Sequence, residues 1–116
     1  MIELSDYNNP FDAITNFENK LAEYTGSPYA VATDCCTHAM ELCLRYLKPS
    51  ETITIPYRTY LSVPMLMHKL QLDYEIEEYE WEGRYQLGNT SIWDSARMLY
   101  MDMHHPSQFQ CLSFGR

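Results

Sequence analysis

The chain has 116 residues, 46% of them hydrophobic, with four glycines, six prolines and ten tyrosines, a composition that folds rather than stays disordered and that makes one domain, residues 1–116, the expectation. Its formal charge of −8 speaks against non-specific nucleic-acid binding, which needs a basic face, and against docking on an anionic membrane. No apolar run approaches the roughly 20 residues that span a bilayer, and the opening MIELSDYNNP has neither the basic nor the apolar region of a secretory signal, so the expected location is cytoplasmic.

Asn9-Pro10 reads as a helix start, with Asn at the N-cap, Pro at the first helical position and Asp12 in the first turn. Phe11, Ile14, Phe17, Leu21 and Tyr24 then recur at helical spacing until Gly26. The apolar run Tyr29–Thr33 predicts a buried strand. A polar turn, Asp34-Cys35-Cys36-Thr37, leads into a second helix with Ala39, Met40, Cys43, Leu44 and Leu47 on one face, closed by Lys48-Pro49-Ser50. Thr52–Ile55 predicts a second strand, ended by Pro56. A third helix over 61–70 must hold Pro64 in its first turn, because deeper inside a proline costs about 3 kcal/mol.

Residues 72–80 read as an extended acidic strand and 81–89 as a loop. Ser91–Trp93 predicts a short strand ending at Asp94, and 99–103 and 109–114 a last pair of strands joined by a turn at 105–107. This alternation favours an α/β three-layer sandwich with a mostly parallel sheet.

Three places could carry chemistry. The turn at 34–37 puts backbone N–H groups at a helix N-terminus, which either binds an anion such as phosphate or is an ordinary capped helix. Asp94, at a strand's carboxyl end, could hold a protonated ring nitrogen or a metal, or cap the next turn. Ser113, at the end of the last strand, could reach the same anion site. A metal site is not expected. His104 and His105 are adjacent, would point to opposite sides of a strand, and have only Asp102 nearby. Cys35, Cys36, Cys43 and Cys111 form no C-x-x-C pair and read as packing residues.

Taken in order, these pieces resemble the DegT/DnrJ/StrS family of pyridoxal-phosphate-dependent sugar aminotransferases. FENKLAEYTGSPYAVATDCCTHAMELCLRYL, residues 17–47, is similar to the family's opening block, with Cys35-Cys36-Thr37 on its phosphate-holding Ser-Gly-Thr. ETITIPYRTYLSVP, residues 51–64, resembles the block that brings an aromatic residue onto the cofactor ring, here Tyr60. IWDSARML, residues 92–99, resembles the block carrying the aspartate that pairs with the pyridinium nitrogen, here Asp94, with Arg97 where the family has Gln or a small polar residue. CLSFGR resembles the start of the motif whose serine, here Ser113, binds the phosphate.

The resemblance implies a reduced type I pyridoxal-phosphate transferase large domain, a cofactor held through Cys36, Thr37, Tyr60, Asp94, Arg97 and Ser113, a homodimer, and a parent activity that moves an amino group from an amino acid to a nucleotide-linked keto-sugar. Three departures qualify it. Residues 72–89 are shorter than the family's stretch there, which has a further strand and helix, so a βα unit is expected to be missing and the sheet to be smaller. Cys36 stands at the glycine whose bare backbone approaches the phosphate, so pyridoxal phosphate is expected to be held weakly or not at all. The family's Schiff-base lysine falls five positions past Ser113, at 118, beyond Arg116. The expectation is therefore a truncated or reduced relative, inactive alone, with a second polypeptide as one source of the lysine. The alternative is a non-catalytic α/β binding or interaction module of the same descent.

Overall fold

The structure, a computed structural model, describes residues 9–114. The chain divides into two compact units: residues up to Thr33 with Tyr100–Pro106, and Asp34–Leu99 with the residues from Ser107 onward.

The first unit is built on α1, Pro10–Thr25, which starts and stops where its caps dictate. The Asn9 side chain accepts from the Phe11 N–H at 2.9 Å, and Gly26 closes the helix at φ 78°, a left-handed conformation that costs glycine little. The predicted strand 29–33 is not formed, and Tyr29 and Val31 are 82% and 76% exposed. Its backbone groups take side-chain partners in place of a ladder. The Ser27 hydroxyl donates to the Tyr29 carbonyl at 2.7 Å, and the Ala32 N–H donates to the Glu18 carboxylate at 2.6 Å. The predicted strand 99–103 is a turn for a related reason. The N–H groups of Asp102 and His104 donate to the carbonyls of Tyr24 and Thr25, each at 2.9 Å, and so satisfy acceptors that the end of α1 leaves open.

The second unit contains α2 (Cys36–Leu47), β1 (Ile53–Pro56), α3 (Ser62–Lys69), β2 (Tyr74–Glu77), β3 (Tyr85–Gln86), β4 (Ile92–Asp94) and β5 (Phe109–Cys111). Pro64 lies in the first turn of α3, as its chemistry requires. The extended acidic segment shortens to β2, the loop at 81–89 contains β3, and the last strand stops at Cys111, so Ser113 lies past its end.

Among the described residues the strands form two sheets where one was expected. β1 pairs parallel with β2. In the other sheet β4 lies between β3, antiparallel to it, and β5, parallel to it. The sheets meet at Gly88, whose N–H donates to the Thr54 carbonyl at 2.9 Å. A side chain there would come within 3.1 Å of the Ile53 Cα, so the approach of the two backbones depends on glycine. Met40 and Leu44 of α2, Val63, Leu66 and Met67 of α3, and Ile53, Ile55, Leu87 and Ile92 from the strands form one buried cluster. This α/β core brings the N-terminus of α2 to the carboxyl ends of β4 and β5.

Candidate functional site

Asp94 ends β4 and is only 4% exposed. Its Oδ1 accepts from the Ala96 N–H at 3.1 Å, a local turn bond, and lies 3.9 Å from Cys36 Sγ at the first residue of α2. The same thiol reaches the Cys111 carbonyl of β5 at 3.5 Å, so its one proton serves one acceptor or the other. Burial first, and then the Asp94 carboxylate, push the Cys36 pKa up to about 12. At neutral pH Cys36 is therefore a hydrogen-bond donor and not a thiolate nucleophile.

Tyr85 of β3 completes the cluster. Burial and the Asp94 carboxylate raise its pKa, so the phenol keeps its proton, and its hydroxyl also pairs with that of Thr59. Beneath lie two further thiols. The neighbouring Cys43 sulfur and burial raise the Cys111 pKa, while the Cys111 hydrogen bond lowers that of Cys43.

Of the residues expected to form a site, Cys36 and Asp94 come together. The Thr37 hydroxyl instead donates to the Ser62 hydroxyl at 3.0 Å, tying the first turn of α2 to that of α3. Tyr60 is 62% exposed, and Arg97 and Ser113 are also exposed. Tyr85 and Thr59 were not foreseen. The apolar-polar-apolar triplet Tyr85-Gln86-Leu87 is the one trace of a short strand inside the expected loop, and three residues are too few for a period of two to register.

An open cleft of about 420 Å³ lies on the other side of Tyr85, which lines it together with Glu77, Tyr79, Trp81, Arg84 and Trp93. The Arg84 guanidinium sits 4.6 Å from the Trp93 ring centre, and the Trp81 indole N–H donates to the Arg58 carbonyl at 2.7 Å. A second hollow, of about 270 Å³, is bordered by Leu47, Glu51, Ile53 and Thr90. None of the six expected site residues lines either cavity.

An α/β core with a buried carboxylate at a strand end, facing a helix N-terminus, defines the general class of protein. The sequence narrows it: residues 4–72 match the DegT/DnrJ/EryC1/StrS aminotransferase family, and the chain belongs to that family. Cys36, Thr37 and Tyr60 lie inside the matched stretch, and Asp94, Arg97 and Ser113 lie beyond it. No curated protein and no solved structure matches the chain. Among the described residues no helix is long and apolar enough to cross a membrane.

The family is generally pyridoxal-phosphate-dependent, and the arrangement around Asp94 can be tested against that cofactor. A pyridinium ring needs one edge against the carboxylate and room on both faces. Here the Cys36 side chain and the Tyr85 phenol bear on Asp94, the Thr37 hydroxyl is directed to Ser62, and neither cavity reaches the carboxylate. The residues as they stand do not fit the cofactor ring.

Proposed function

We propose that this chain is a reduced, non-transferring relative of the sugar aminotransferases, whose parent activity is pyridoxal-phosphate-dependent amino transfer to a nucleotide-linked keto-sugar. In this reading the Cys36 thiol has replaced the cofactor as the partner of Asp94, and the domain persists as an α/β binding or interaction module, a cut-down form of the family's three-layer large domain. The observation that carries it is the approach of Cys36 Sγ to within 3.9 Å of Asp94 Oδ1, at a carboxylate already supplied by the Ala96 N–H. The lysines of this unit support it too. Lys69 is held by Glu41 at 2.9 Å, and Lys48 caps the far end of α2, about 18 Å along the helix from Cys36 at 1.5 Å per residue.

Titrating the purified chain with pyridoxal phosphate, followed by cofactor absorbance, tests the reading. No saturable binding is expected for the native chain, and weak saturable binding for Cys36→Gly, which removes the blocking side chain. Saturable binding by the native chain that Asp94→Ala abolishes would overturn it. The module is proposed to act as a homodimer. The exposed apolar residues Phe11 and Ile14 on α1 fit a surface that a second copy covers. A monomer by sedimentation at micromolar concentration would refute that part.

A further inference from the structure

We propose that Asp34, Cys35 and His38 form a surface site for a thiophilic divalent cation of the zinc class. The three residues each offer one ligand atom, and these atoms lie within 4.8 Å of one another. The set contains one carboxylate oxygen, one sulfur and one imidazole nitrogen, a mixture that suits borderline-soft zinc and not magnesium or calcium, which take oxygen ligands. Tetrahedral zinc with bonds of about 2.0–2.3 Å holds its ligand atoms roughly 3.3–3.8 Å apart, so only small rotations of these exposed side chains are required.

Local backbone geometry assembles the set. Cys35 is the N-cap of α2, with extended backbone at φ −160° and ψ 164°, and its side chain makes no capping hydrogen bond. His38 lies in the first turn of α2, four residues after Asp34, and its Nδ1 contacts Asp34 Oδ1 at 2.5 Å. Cys36 is excluded because its sulfur turns inward to Asp94 and Cys111.

A helix N-terminus on its own repels a cation. Here a carboxylate and a thiolate together cancel the double charge of the ion, so the bound site is neutral. On binding, the Cys35 thiol proton leaves to solvent. Binding also breaks the Nδ1–H···Oδ1 hydrogen bond between His38 and Asp34: the imidazole then keeps its single proton on Nε2, and Nδ1 turns its lone pair to the metal. Three protein ligands leave a fourth position for water. The proposal is independent of whether the chain binds pyridoxal phosphate.

The test is titration of the metal-free full chain with cobalt(II), then displacement by zinc. One cobalt per chain is expected, with a thiolate-to-metal charge-transfer band in the near ultraviolet that zinc abolishes. Cys35→Ser should remove the band, and His38→Ala should weaken binding by at least about 10-fold. His105→Ala, at an exposed histidine outside the proposed site, should leave it unchanged. All three side chains are exposed, and circular dichroism checks that each variant is folded. Absence of saturable binding, a band that persists in Cys35→Ser, or binding lost only in His105→Ala would each overturn the assignment.

Discussion

Cys35 and Cys36 are adjacent and chemically identical, yet the structure gives them opposite surroundings. Cys35 is an exposed N-cap beside Asp34 and His38. Cys36, one residue into the helix, points into the core at Asp94 and the Cys111 carbonyl, with its pKa pushed up to about 12. The switch from extended backbone at the cap to helical backbone at the next residue turns the two side chains to different sides of α2. The outer thiol is exposed to solvent, while burial and a neighbouring carboxylate keep the inner one protonated. Residue type alone does not assign a cysteine to chemistry or to packing; its place on the helix does.

The widest gap between the two faces should appear in stability. Leu44 is 2% exposed on the inner face, and Leu44→Ala should cost about 2–5 kcal/mol in urea unfolding. Leu42, 55% exposed on the outer face, should tolerate alanine within about 0.5 kcal/mol. Equal losses would mean that the outer face is covered in solution and would break the comparison. A smaller effect belongs to Asp94→Ala. Losing a buried acceptor that serves the Ala96 N–H, beside the Cys36 thiol and the Tyr85 phenol, should cost about 1–3 kcal/mol. It should also let the Cys36 pKa fall part of the way from about 12, the share due to burial remaining. The pH dependence of Cys36 alkylation measures that fall, and an unchanged profile would sever the thiol from the carboxylate.

Much of this arrangement is legible in the sequence where local chemistry decides. Asn9 and Gly26 mark the ends of α1, Pro64 fixes the first turn of α3, and the resemblance assigns Cys36 and Asp94 to the phosphate and the ring nitrogen of one cofactor without foreseeing their direct contact. The failures fall where partners decide. The run Tyr29–Thr33 has the composition of a strand, but a strand exists only against another backbone, and here Glu18 and Ser27 take its polar groups. Residues 99–103 likewise look extended, yet their N–H groups serve the open carbonyls at the end of α1. Tyr85 escaped notice because a two-residue strand is too short for alternation to register. The metal-ligand cluster escaped because its three members share no familiar spacing motif; only the turn into α2 brings their side chains together.

The smallest expected effect tests how α2 is held at its solvent edge. Glu41 accepts from Lys69 of α3 and from Arg45 one turn on, each at 2.9 Å. Lys69 first and Arg45 second hold its carboxyl below the ordinary value of 4.5. A carboxyl whose pKa is depressed by folding contributes stability at pH values above the ordinary one, and that contribution is lost as pH falls through the lowered folded value. The native chain should therefore exceed Glu41→Gln in stability by a constant margin from neutral pH down to about pH 5. Below that the margin should shrink toward zero, and added salt should reduce it throughout, because the pairs are open to water. Urea titrations at several pH values would read the margin. If it did not vary with pH, the carboxylate would be acting through shape alone, and the clamp between α2 and α3 would rest on packing of Leu44, Leu66 and Met67 with no electrostatic part.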